Sequence, residues 1–181
     1  MKNTGGFRII LMAMFASMVC VSTICIQIPS PVGGYINLGD ALVLVSAFLL
    51  GPVYGGIAAG SGSALADLLT GYAYYAPGTL IIKAAVAAIA ALLLNRLNRR
   101  DEGAFRPLRM IAAAAPAEAV MIAGYLLYAW FCLAHGSGAL ASVPGNLLQA
   151  VAGIAVACAL TPLISRPREI QDLLKKFHKK A

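Results

Sequence analysis

Every Lys and Arg of this chain but one falls into three groups, separated by apolar segments and by linkers that hold none. Lys2 and Arg8 flank the first apolar run. Arg96, Arg99, Arg100, Arg106 and Arg109 crowd one loop, and Arg166, Arg168, Lys175, Lys176, Lys179 and Lys180 fill the C-terminal stretch. Linkers 29–37, 72–77 and 135–141 have no Lys or Arg. Cationic residues stay on the cytoplasmic side of a membrane, so this pattern sets the number and direction of the crossings. Composition agrees: 60% hydrophobic and 12% charged is too apolar for a soluble domain of 181 residues.

A spanning helix needs roughly 20 mostly apolar residues. Six segments qualify or come close: 7–28, 38–50, 53–71, 78–95, 109–134 and 142–165. Six transmembrane helices with both termini cytoplasmic place all three basic groups inside. Reading 38–71 as one helix gives five spans and puts either the arginine loop or the basic tail outside. Gly51-Pro52 supplies the turn that divides it. Segment 38–50 reaches only about 20 Å at roughly 1.5 Å per residue, short of a full crossing. The expectation is an all-α integral membrane protein, with residues 1–165 as the transmembrane domain and 166–181 as a basic cytoplasmic tail.

The net charge of +7 is accounted for by orientation and calls for no nucleic acid. In the tail, Ile170, Leu173, Leu174 and Phe177 share a face, which predicts an amphipathic helix at the inner membrane surface, near anionic lipid. Cys20, Cys25, Cys132 and Cys158 lie in apolar helices without metal-ligand spacing and read as small buried hydrophobes. No metal site, cofactor motif or nucleophile–base constellation is visible, so a membrane enzyme has no support.

Charges inside hydrocarbon are costly and mark functional sites. Asp40, Asp67, Lys83 and Glu118 fall within the apolar segments. On the expected topology Asp40, Asp67, Lys83, Asn146 and Gln149 all lie in the outer third of the membrane. Asn146 and Gln149 are three apart, hence on one helical face. Tyr35, Asn37, Tyr72, Tyr74 and Tyr75 occupy the outer linkers; tyrosine offers a flat apolar face with a hydroxyl. Pro31, Gly33 and Gly34 allow the first outer loop to fold over a cavity. These residues predict a polar pocket opening outward. Asp67 reads equally as a helix-packing partner of Lys83. Glu118 sits near mid-membrane beside Pro116, whose missing N–H frees a carbonyl and kinks the helix. Glu118 has three readings: ligand contact, partner of Lys83, or proton acceptor. On helix one, Ala13 and Ser17, and likewise Ala16 and Cys20, are four apart; small residues at that spacing let another helix approach closely.

The run INLGDALVLVSAFLLGPVYGGIAAGSGSALADLLTGYAYYAPGTLIIK resembles the substrate-binding S components of energy-coupling-factor (ECF) transporters, in particular the riboflavin-type group with its pyridoxine and hydroxymethylpyrimidine relatives. The resemblance implies a subunit in the cell membrane of a prokaryote that binds a small water-soluble vitamin from outside with high affinity. It implies partners too: a transmembrane scaffold subunit and two cytoplasmic ATPases. The family's scaffold contact uses an A-x-x-x-A motif in helix one, matched here by Ala13 and Ser17, with serine in the second place. No Walker A sequence occurs in the chain, so ATP hydrolysis falls to the partners. The expected ligand-binding residues are Tyr35, Asn37, Asp40, Asp67, Tyr74, Tyr75, Lys83, Glu118, Asn146 and Gln149. The alternative reading is an independent oligomeric transporter or channel whose ion path uses Asp67, Lys83 and Glu118. The residues do not choose among the vitamins.

Overall fold

A computed structural model of the protein describes residues 4–30, 34–98 and 105–178. Pro31 and Gly33 of the outer loop, Arg99 and Arg100 of the basic loop, and Lys2, Lys179 and Lys180 near the termini lie outside the described residues. Helix α1 covers Thr4–Cys25. It stops three residues short of the expected end because the chain then pairs with itself. Strand β1 (Gln27–Pro29) runs antiparallel to β2 (Tyr35–Asn37), with Gln27 opposite Asn37 and Pro29 opposite Tyr35. The expected purely helical chain therefore carries a short β-ribbon where the sequence suggested a plain linker. Three-residue strands are too short to show an alternating pattern.

Helix α2 (Gly39–Leu69) is the centre of the molecule and is not one rod. Gly51 sits at φ 78° and ψ −175°, a backbone conformation that side chains with a Cβ resist. Pro52 then opens a second arm, where its missing N–H costs nothing. The arms fold back on each other. The Ser46 hydroxyl donates to the Gly55 carbonyl at 3.4 Å, and a Cβ on Gly55 would lie 2.7 Å from the Ser46 carbonyl oxygen. An unbroken helix would hold those residues nine positions, about 13 Å, apart. The first arm, 39–50, is buried at every residue except Leu42. The second, 52–69, wedges between α1 and the next helix. Gly62 meets the Ala16 carbonyl, and Gly60 meets the Leu80 carbonyl, closely enough that a Cβ would clash with either.

Helix α3 is Ala76–Leu97, with Pro77 in its first turn. Helix α4 is Pro107–Leu127 and stays helical through Pro116. It runs on as a π-helical turn, Tyr128–Cys132, and a 3-10 stretch, Gly136–Ser142, leads into α5, Val143–Ser165. Counting the arms of α2 separately, six helical rods form the bundle. Among the described residues, five helices, with α2 taken whole, are long and apolar enough to cross a membrane. Their outer faces carry Ile9, Ile10, Val53, Ile81, Leu108 and Phe131, all exposed, as a lipid-facing surface requires.

Helix α6 (Arg168–His178) is the amphipathic tail, and its apolar face turns to the bundle. Phe177 is buried against Tyr54, ring centroids 5.0 Å apart, and Leu174 packs on the core. Arg8 Nη2 donates to the Phe177 carbonyl at 2.6 Å, and its guanidinium lies 5.5 Å from the Tyr54 ring centroid. The four cysteines are free, but only Cys20 is buried. Cys25 and Cys132 are exposed at helix ends, which corrects the expectation that all four are interior.

Candidate functional site

At the end of the bundle opposite Arg8 and Phe177, the β-ribbon, the end of α2, the start of α3 and the junction of α4 with α5 enclose a cleft. It holds about 530 Å³ of empty space, counted out to its open mouth. Tyr35, Asn37, Asp67, Tyr75, Asn146 and Gln149 line it, all six expected from sequence. Ser30, Gly34, Ile36, Thr79, Tyr125, Ala129 and Ser142 complete the wall.

Hydrogen bonds fix the wall from behind. Asp40, fully buried at the first turn of α2, accepts from Lys83 through Oδ1 and from Gln149 Nε2 through Oδ2 at 2.6 Å. Gln149 Oε1 in turn accepts the Asn37 backbone N–H at 2.8 Å. The Asn37 side-chain oxygen accepts the Gly39 N–H, also at 2.8 Å, at the start of α2. One chain of contacts thus runs from Lys83 on α3 through Asp40 and Gln149 on α5 to the β-ribbon. Gly153 on α5 makes this possible, since a Cβ there would lie 2.8 Å from the Asp40 Cβ.

A second group faces the cleft directly. The Tyr35 hydroxyl donates to Asp67 Oδ1 at 2.6 Å. Burial, then the neighbouring Asp67, pushes the Tyr35 phenol well above the usual tyrosine range, so it stays a donor. Asp67 Oδ2 is buried. The Tyr125 hydroxyl donates to Thr79 Oγ1 at 3.1 Å, and Lys83 Nζ lies 5.3 Å from the Tyr125 ring centroid. Tyr75 stands 6.4 Å from Tyr125 and 6.1 Å from Tyr128, and burial pushes its phenol up to about 12. Gly34, at φ 79°, brings the ribbon to the edge of the Tyr75 ring, where a Cβ would sit 3.1 Å away.

Four of the expected residues do not line the cleft. Asp40 and Lys83 lie one layer behind it. Tyr74 is 48% exposed and offers its carbonyl to the Tyr128 hydroxyl at 2.8 Å. Glu118 is 1% exposed on α4 with both carboxyl oxygens unpartnered. The sequence left Asp67 and Glu118 open as partners of Lys83, beside their other readings; the salt-bridge partner of Lys83 is Asp40. Among residues the sequence did not single out, Thr79 and Ser142 reach the cleft because each sits next to a helix start that delivers it there. Nothing in their local sequence separates them from ordinary helix-end residues.

The family model "ECF-type riboflavin transporter, S component" matches residues 7–166. The chain belongs to this family of ECF S components. These are transporter subunits that bind substrate rather than enzymes, and they are multi-pass proteins of the prokaryotic cell membrane. This S component is also 34% identical over 149 residues to a protein of Pyrococcus woesei, described as an uncharacterized protein in a gap 3′ region. That match covers 82% of this chain and 95% of the archaeal one. A solved structure described as "Structure and mechanism of the S component of a bacterial ECF transporter" superposes with a TM-score of 0.63 at 19% identity. It covers 87% of this chain and 95% of that one. At that identity the likeness shows a shared fold.

Proposed function

We propose that this S component binds a small water-soluble vitamin or precursor of the riboflavin, pyridoxine or hydroxymethylpyrimidine type from outside the cell, for ATP-driven uptake. The observation that carries the reading is the cleft itself. It lies at the end of the bundle formed by the linkers free of Lys and Arg, the end expected to face outward. It joins planar tyrosine walls to amide, hydroxyl and carboxyl groups, the mix that suits a flat ring bearing donors and acceptors. On this reading the chain crosses six times with both termini cytoplasmic. The short buried arm 39–50 makes one crossing, and the β-ribbon lies in the outer linker before it. The ligand contacts are Tyr35, Asn37, Asp67, Tyr75, Asn146 and Gln149. Asp40 and Lys83 act as positioning residues behind Gln149. Residues 166–181 form the cytoplasmic tail.

The partners are a transmembrane scaffold and two ATPase subunits, which supply the hydrolysis that this chain has no Walker A loop to perform. We assign scaffold docking to the α1 face bearing Ala13 and Ser17. Both are exposed, and the Ser17 hydroxyl is turned back onto the Ala13 carbonyl at 2.9 Å. The other small pair is taken up inside the subunit: Cys20 is buried, and the Ala16 carbonyl faces Gly62. Met14, Ser17, Met18 and Val21 line an outward apolar groove with Leu42 of α2. The alternative of an ion path through Asp67, Lys83 and Glu118 loses its main support, because Lys83 is bound to Asp40 instead. Mass spectrometry of small molecules that co-purify with the protein tests the ligand. Recovery of a vitamin from one of the three classes is the expected result; an empty protein that also fails to bind all three overturns it.

A further inference from the structure

Glu118 is a buried carboxyl that the cleft does not use. It is 1% exposed on α4, and neither carboxyl oxygen has a hydrogen-bond partner. Helices α3 and α4 run antiparallel, with the Tyr125 hydroxyl on Thr79 and Gly124 against Ile82. Counted inward from that contact, Glu118 lies one turn below Lys83, a difference in height of about 4.5 Å. The charged groups acting on Glu118 are Asp40 of α2 and Lys83 of α3. Helix α5, which also packs on α4, carries no Asp, Glu, Lys, Arg or His. Two carboxyls therefore share one lysine, and Asp40 has it. A lone buried carboxylate is strongly disfavoured, so Glu118 holds a proton.

From this, and resting on the ligand-binding reading above, we propose that Glu118 is a second seat for Lys83, used when the ligand is released: Lys83 passes from Asp40 to Glu118, and the Glu118 proton passes to Asp40. The flexible four-carbon stem of lysine permits the move. The step balances within the cluster. One O–H bond breaks on Glu118 and one forms on Asp40 Oδ1, the net charge is unchanged, and no ion enters or leaves. Its effect reaches the cleft through Gln149. An ionised Asp40 holds the Gln149 amide by a charge-assisted hydrogen bond, roughly twice as strong as a neutral one. A neutral Asp40 holds it less firmly, and Gln149 in turn holds the Asn37 backbone and with it the β-ribbon. The exchange thus loosens the cleft wall from behind, through groups that do not touch the ligand.

The test uses the full-length protein. Infrared spectra in detergent at pH 8, where exposed carboxyls are ionised, are expected to show a carboxylic acid C=O band that Glu118→Gln removes. Calorimetry with riboflavin, pyridoxine and hydroxymethylpyrimidine in turn gives the affinity. Uptake of the compound that binds is then measured in cells that also produce the scaffold and ATPase subunits. Glu118→Gln, which keeps the shape but cannot pair with Lys83 as an anion, should bind within about threefold of native and lose at least about tenfold in uptake. Glu118→Asp, which keeps the carboxyl, should recover part of the uptake. A merely structural role would lower affinity and uptake together, and that result overturns the proposal. So does native uptake in Glu118→Gln. A native spectrum with no acid band also overturns it, needs no variant, and leaves the vitamin-binding reading standing. If none of the three compounds binds the native protein, that reading fails and this proposal with it.

Discussion

Lys83 and Asp40 form a salt bridge closed off from both the lipid and the cleft, with 3% and 0% of their side chains exposed. Its role follows from its neighbours. Asp40 also holds Gln149, and Gln149 holds the backbone of Asn37, so the pair anchors the β-ribbon and α5 to the core of the bundle. Removing one partner of a buried pair leaves the other charge uncompensated, at a cost of about 3–5 kcal/mol. Lys83→Ala is therefore expected to lower thermal stability sharply in detergent. The double variant Asp40→Asn, Lys83→Met should recover a large part of the loss, because it leaves no lone charge and keeps an acceptor for Gln149. A Lys83→Ala protein with native stability and reduced ligand affinity would show instead that Lys83 reaches the ligand.

The two charges were visible in the sequence; their pairing was not. Asp40, Asp67 and Glu118 all lie within apolar segments, and helix spacing puts Lys83 at a comparable depth to the first two without choosing between them. The choice is made by packing around the first arm of α2, where Gly153 lets α5 close on Asp40. The hairpin at Gly51-Pro52 was legible because glycine and proline have a local backbone meaning. So were the mostly helical fold and the small residues along α1. The β-ribbon was not, since its pairing comes from tertiary closure over the cleft. Nor was the inward turn of α6, because an amphipathic face suits a lipid surface as well as a protein one. Tyr74 and Tyr75 are adjacent and chemically alike, yet only Tyr75 lines the cleft.

Tyr35→Phe removes the hydroxyl that satisfies Asp67 Oδ1. The expected loss is about 1–3 kcal/mol of stability, with ligand affinity reduced by roughly tenfold or more. The pH dependence has a definite sign. The Tyr35 phenol titrates higher in the folded protein than in the unfolded chain, so its contribution is fully present below about pH 10 and declines as pH rises above it. The stability gap between native protein and Tyr35→Phe should thus be constant from about pH 7 to 9 and narrow above pH 10. A gap that widens with alkalinity would contradict this assignment. Unfolding midpoints of the two proteins across that range are the measurement.

Gly55 permits the two arms of α2 to touch. A Cβ there would stand 2.7 Å from the Ser46 carbonyl oxygen and 2.9 Å from the Ala47 Cα, both backbone atoms that cannot swing aside. Gly55→Ala should destabilise by about 1–3 kcal/mol, and Gly55→Val by more. Gly71→Ala serves as the reference for backbone strain alone: φ is +87° there, and nothing lies within 4 Å of the added carbon. Thermal melts that rank Gly55→Ala no worse than Gly71→Ala would count against the close-packed hairpin.

Ala13 and Ser17 face outward on α1, while Phe15, Val19 and Cys20 on the same helix face the core. The sequence spacing alone left both small pairs as candidates for an external helix; the orientation of α1 leaves the Ala13–Ser17 face for a partner. Bulk added at a tight helix–helix contact cannot be absorbed without separating the helices. Ala13→Trp projects away from the subunit's own core, so its folding and ligand affinity should stay within about twofold of native. In cells that also produce the scaffold and ATPase subunits, co-purification of the scaffold and ATP-dependent vitamin uptake should both be lost. Two variants sharpen the comparison. Ser17→Ala restores the family's A-x-x-x-A pattern and should preserve uptake. Val19→Trp introduces the same bulk one turn and a half along the helix but into the core, and should disrupt folding itself. Uptake that survives Ala13→Trp would place the scaffold on another face of the bundle. Collapse of ligand binding in that variant would show that the α1 face, exposed as it is, is coupled to the cleft.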